Sequence, residues 1–172
     1  FYSTSFGGAY WVWMAILFCF IIQAVSYEYR KKPQNFLGQK VYESFLYING
    51  SLGVILLGVA IATFFSGSAF SVDENNFSHW HTSLRGLEAL ASPFNLSLGF
   101  ALFFLVRISG ALYFINNIDH VIIRQRAIKS IKINMPIFLV FFSIFLFILF
   151  TKEGFAYDSE GFVYLVEYKY LH

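Results

Sequence analysis

Four stretches of the chain are nearly free of charge. Residues 1–27, 44–72 and 133–151 contain no Asp, Glu, Lys or Arg, and residues 89–118 contain one, Arg107. A helix needs roughly 20 apolar residues to cross a hydrocarbon core about 30 Å thick, and each stretch reaches about that length. The pattern predicts transmembrane helices over about 5–26, 41–65, 93–117 and 134–150. Lipid offers no partner to an open backbone, so apolar runs of this length become helices. Nothing alternates in the way a membrane barrel requires. Ser92 and Pro93 mark the start of the third span, with the serine placed to cap and the proline at the first helical position. Pro136 is expected in the first turn of the fourth span. Ile118, Val121 and Ile122, beside Asp119 and Arg126, read as an extension of the third span into the headgroup region.

Between the spans lie loops at 27–40, 66–92 and 118–133, and a tail at 151–172. Lysine and arginine are shared out unevenly. Arg30, Lys31, Lys32 and Lys40 follow the first span, and Arg124, Arg126, Lys129 and Lys132 follow the third. The 66–92 loop holds only Arg85, and the tail only Lys152 and Lys169. Basic residues stay inside. Loops 27–40 and 118–133 are therefore expected in the cytoplasm, with loop 66–92 and the tail outside. Tyr10, Trp11 and Trp13 at one end of the first span, and Tyr27 and Tyr29 at the other, fit interfacial belts.

Composition agrees. Of 172 residues, 58% are apolar and 13% charged, against about 25% charged in soluble domains. The fold class read from this is all-α: a polytopic membrane protein with four transmembrane helices, part of a larger helical-bundle subunit. A net charge of +2 does not point to a nucleic-acid partner. The single cysteine, Cys19, lies in the first span, so no disulfide framework is expected. Ala24-Val25-Ser26 loosely resembles a signal cleavage site but follows no basic region. Phe1 is no translation start, and the expectation is that helices are missing on both sides.

Several residues invite a chemical reading. Gly50 and Gly53 in the second span, and Gly99 and Gly110 in the third, are packing signals. Arg107 lies about 21 Å from Pro93 at ~1.5 Å per residue, past the bilayer midpoint. A lone arginine there costs about 2.5–3.5 kcal/mol on insertion scales, so it needs a partner or water, or else snorkels toward the headgroups. Glu28 and Lys32 have the spacing of a helical ion pair, and Glu43 opens the second span at the same end. Their bland reading is solvated counter-charge; the functional reading is proton collection. The histidines, His79, His81, His120 and His172, fall in loops or the tail, so no metal site, haem ligand or catalytic residue is assigned.

The order of local strings resembles subunit II of cytochrome bd quinol oxidase. Val25-Ser26-Tyr27-Glu28-Tyr29-Arg30 is similar to that family's V-x-F-[ED]-Y-R signature, and Tyr2 with Phe6-Gly7-Gly8 to its Y-x-x-x-F-S-G-F-Y stretch. Gly50-Ser51, Leu57-Gly58-Val59-Ala60 and Gly67-Ser68-Ala69-Phe70 resemble its G-S, G-V-A and G-x-P-F series. Ser92-Pro93-Phe94 and Gly110-Ala111-x-Tyr113 resemble its N-P-F and G-A-x-Y. The departures are Gln23 for an intramembrane arginine, Thr63 for asparagine, Ala69 for proline, Ser109 for histidine or glutamine, and the extra Arg107. They are the kind a cyanide-insensitive branch or a changed proton route would show.

The resemblance implies a haem-free subunit of a quinol:oxygen oxidoreductase in the bacterial cytoplasmic membrane. Haems b and d and the quinol site would belong to the partner, subunit I. Glu28, Lys32 and Glu43 would match positions of the cytoplasmic proton supply. A secondary-transporter fragment and a purely structural membrane subunit are the competing readings. Only Arg107 fits the polar midplane site of a transporter.

Overall fold

The computed structural model describes residues 7, 9–33, 36–75, 77–157 and 163–171. Ser5, Phe6 and Gly8 of the first span, Tyr2 and His172 lie outside the described residues. Among those described, four helices are long and apolar enough to cross a membrane. They are α1 (Tyr10–Tyr29), α2 (Gln39–Ser66), α3 (Pro93–Asn117) and α4 (Val121–Thr151). Most of the described residues are helical. Two small antiparallel hairpins lie at one end. β1 (Phe70–Val72) pairs with β2 (Ser78–Trp80) after α2, and β3 (Gly154–Tyr157) with β4 (Val163–Val166) after α4. We refer to this as the hairpin end, and to the opposite end as the basic end.

The third span begins and ends where the sequence predicts. Pro93 occupies the first turn, but the Ser92 side chain makes no capping bond; its carbonyl accepts from Leu96 N–H at 3.0 Å. At the other end Asn117 turns its amide back onto the Tyr113 carbonyl (2.9 Å), and Ile118 and His120 are extended.

The expected extension of α3 through Ile118 therefore does not occur, and Val121 and Ile122 open α4 instead. Most of the expected 118–133 loop is helix. At ~1.5 Å per residue α4 is about 46 Å long, more than a hydrocarbon core needs. Its basic first third carries Arg124, Arg126, Lys129 and Lys132 and need not sit in lipid to be helical. Pro136 consequently falls in the helix interior, where it lacks the N–H that would bond the Lys132 carbonyl. The first span runs three residues past its expected end at Ser26, whose hydroxyl bonds the Ile22 carbonyl at 2.6 Å.

Extensive packing runs between consecutive helices: α1 on α2, α2 on α3, α3 on α4. Helix α1 buries Val12, Ile16, Cys19 and Ser26, a stripe at helical spacing, and the first three of these pack with Leu56 and Ala60 of α2. Helices α2 and α3 meet through glycine. A β-carbon on Gly58 would stand 2.6 Å from the Gly99 α-carbon. Helices α3 and α4 interlock through aromatic rings, Phe94 with Phe145 (4.9 Å) and Phe104 with Phe141 (5.9 Å). Between apolar helices in lipid, such close packing supplies the attraction that water supplies elsewhere. Leu17, Phe18, Phe20, Leu139, Val140 and Phe147 face outward, as helices surrounded by lipid do.

Candidate functional site

At the basic end, α1 stops at Tyr29 and the chain turns, with Lys32 N–H bonded to the Tyr29 carbonyl at 3.1 Å. The Glu28–Lys32 pair expected from spacing forms across this turn, at 2.8 Å, with both side chains largely exposed. Lys32 also lies 4.3 Å over the Tyr29 ring. Its bond to Glu28 raises the Lys32 pKa above the ordinary lysine value.

Glu28 lines a groove of about 480 Å³ between α1 and α2, together with Phe20, Gln23, Ala24, Tyr27 and Leu46. Gln23, the residue that stands for the family's intramembrane arginine, is thus in the same groove and deeper along the helix. Glu43 is elsewhere. It accepts from the Gln39 amide at 2.7 Å and lines a separate depression with Lys40, Ser44 and Tyr47. The three expected residues share one end of the molecule but not one cavity.

Arg107 is exposed, with its guanidinium 5.5 Å from the Phe103 ring. It lines a cleft with Ser130 and Arg126 of α4. The register of α3 against α4 thus sets it beside α4's basic segment, not opposite the apolar run at 133–151.

At the hairpin end is a cavity that spacing in the sequence did not suggest. It encloses about 480 Å³ and is lined by Ser66, Ser68, Glu88, Ser92, Asn95 and Lys152, among others. Asn95 is 2% exposed and donates to the Ala89 carbonyl at 3.0 Å, while its Oδ1 has no partner among the described residues. A polar chamber of this kind suits water. Glu88 accepts from Thr82 Oγ1 (3.0 Å) and Gly86 N–H (2.9 Å). Lys152 donates to the Phe65 carbonyl at 3.1 Å and sits 5.2 Å over the Phe94 ring, and burial pushes its pKa down. The one signal in the sequence was a lone asparagine in the first turn of an apolar helix.

His79, His81 and His120 are exposed, in the β1–β2 hairpin, just after it, and in the break between α3 and α4. Met14 is half-buried on α1 and Met135 is exposed on α4. No group of three or more His, Cys, Asp or Glu capable of holding a metal occurs among the described residues.

The sequence profile of the family described as cytochrome bd terminal oxidase subunit II matches residues 1–168, nearly the whole chain. The chain therefore belongs to this family, and is a multi-pass membrane subunit of a bd-type quinol oxidase, an oxidoreductase complex it forms with subunit I. Comparison with curated proteins gives no match.

Proposed function

We propose that in this bd-type oxidase the chain is the haem-free subunit, supporting a subunit I that carries haems b and d and the quinol site. In this reading it lines part of the cytoplasmic proton supply, with Glu28 as the collecting carboxylate. The basic end faces the cytoplasm of a bacterium, and the hairpin end faces outward. The asymmetry of lysine and arginine supports that orientation.

The observation that carries the proton reading is the groove shared by Glu28 and Gln23. Reduction of dioxygen to water consumes protons inside a low-dielectric complex, where a charged group is costly to hold. An exposed carboxylate at the mouth of a groove between two helices gathers protons from water. Lys32, bonded to it, keeps it anionic and so ready to accept. Gln23, further along the groove, offers a neutral donor and acceptor where the family carries a fixed positive charge. A neutral amide opposes the passage of a proton less than an arginine does. This is a changed route, of the sort a divergent, cyanide-insensitive branch would have. Glu43 contributes as a second acid at the same end, through its own depression.

The test is oxygen consumption by the intact complex bearing Glu28→Gln or Glu43→Gln. Turnover should fall in Glu28→Gln, and the deficit should widen as pH rises and free protons become scarce. Glu43→Gln should show a smaller deficit. Haem content equal to wild type, with unchanged turnover at every pH in both variants, would leave only a structural role.

A further inference from the structure

The cleft between α3 and α4 at the basic end carries chemistry that the proton reading does not use. Its walls are Arg107, Gly110, Ala111 and Phe114 on α3 and Arg126 and Ser130 on α4, around about 450 Å³. A β-carbon on Gly110 would meet nothing within 4 Å, so the glycine leaves the cleft open instead of closing a helix contact. Neither guanidinium has a carboxylate within ion-pair distance among the described residues. Two permanent positive charges and a hydroxyl thus face one apolar wedge.

We propose that this cleft binds an anionic phospholipid of the cytoplasmic leaflet, its phosphate bridged by Arg107 and Arg126 and hydrogen-bonded by Ser130. Basic clefts between transmembrane helices on the cytoplasmic side are where anionic headgroups bind. The planar guanidinium offers two parallel donors to a phosphate. Depth selects a lipid over a free anion. The apolar run of α4 begins at Ile133, just beyond Ser130, so the cleft sits where hydrocarbon gives way to headgroups. A dissolved phosphate would have to leave water to enter it, whereas a lipid phosphate already lies at that level. The walls formed by Ala111 and Phe114 then meet glycerol and acyl chain. The same occupant gives Arg107 a counter-charge in addition to the Phe103 ring beside it.

The inference rests on the inside-facing basic end, which cysteine labelling checks separately. Its own test is the binding of labelled phosphatidylglycerol and labelled phosphatidylcholine to the intact, delipidated complex in detergent. Wild type should prefer phosphatidylglycerol, and the preference should fall with added salt. Arg107→Gln with Arg126→Gln should abolish it, at about fivefold per arginine. Arg107→Lys with Arg126→Lys should keep most of it. Gly110→Leu, which fills the cleft without changing charge, should weaken binding of both lipids. Lys31→Gln with Lys40→Gln should change nothing. If the glutamine pair fails to assemble, the Gly110→Leu and lysine variants decide. Equal affinity for the two lipids in wild type overturns the proposal, and is the result expected if a carboxylate of the partner subunit fills the cleft. Undiminished phosphatidylglycerol binding by the glutamine pair, or by Gly110→Leu, overturns it equally.

Discussion

Gly58 and Gly99 face each other where α2 crosses α3. A β-carbon on Gly58 would lie 2.6 Å from the Gly99 α-carbon, and one on Gly99 would lie 2.9 Å from the Ile55 carbonyl oxygen. These are backbone contacts, and no rotamer change relieves them. Overpacking a well-packed interface costs about 1–3 kcal/mol. Gly58→Ala should reach the upper part of that range, because the whole helix must move away. Thermal unfolding of the complex in detergent measures this. Gly110→Ala is the control. Nothing lies near its β-carbon, and alanine is favoured over glycine within a helix by about 1 kcal/mol. Equal destabilisation by both substitutions would mean that Gly58 is not the crossing point.

Lys152 holds the hairpin end together, bonding the Phe65 carbonyl across 87 residues of sequence and lying over the Phe94 ring. Three helix ends converge on one ammonium. Lys152→Met removes the bond and leaves a carbonyl to find water, at a cost of about 1 kcal/mol once partial exposure is discounted. The pH dependence has a definite sign. Burial lowers the folded pKa below the unfolded value of about 10.4, so the unfolded chain binds more protons between the two. Stability should therefore rise with pH as the solution passes the folded Lys152 value, up to about 10.4. The methionine variant should lack that rise in parallel denaturation curves.

Legibility followed locality. The start of α3 was readable because Pro93 acts through its own neighbouring backbone. The Glu28–Lys32 pair was readable for the same reason, since its partners are four residues apart. The start of α4 was not. Arg124 to Lys132 look like a loop when charge is taken as the boundary of a span, yet a helix that has left the hydrocarbon accepts charge freely. The placement of Arg107 beside Arg126 and Ser130 was hidden because it depends on the register of α3 against α4, which the Phe94–Phe145 and Phe104–Phe141 contacts fix. The Gly58–Gly99 crossing and the cavity around Asn95 are likewise products of distant segments brought together. Gly110 shows the converse: a small residue in a plausible position that packs against nothing.

The β1–β2 hairpin is closed by Asp73. One carboxylate oxygen accepts from the N–H groups of Asn75 (3.0 Å) and Phe77 (2.7 Å), and the other meets the His79 ring at 3.3 Å. The Phe77 N–H chiefly, with His79, holds the aspartate below its ordinary value near 3.9. A depressed carboxyl stabilises the turn above that ordinary value, and the contribution is lost as pH falls through the folded value. Asp73→Ala should speed amide exchange at Asn75 and Phe77 at neutral pH while leaving global unfolding unchanged, since the hairpin lies outside the helical core. Unaltered exchange at Phe77 would show that the turn does not depend on this carboxylate.

The proton reading and the lipid reading both require the basic end to face the cytoplasm, and that can be checked without reference to either. Cys19 is the sole cysteine of this sequence and is buried. With Cys19→Ala as background, single cysteines at Lys31, Lys129 and Asn75 sample exposed positions at the two ends. A membrane-impermeant maleimide added to intact cells should label Asn75→Cys alone, and a permeant one should label all three. Eight Lys and Arg in loops 27–40 and 118–133, against Arg85, Lys152 and Lys169 at the other end, set this expectation. Labelling of Lys31→Cys and Lys129→Cys from outside would invert the protein. Glu28 would then open to the side where protons are released rather than taken up, and Arg107 and Arg126 would meet the outer leaflet. The four helices would stand regardless, because they depend on the length of the apolar runs and not on which way they point.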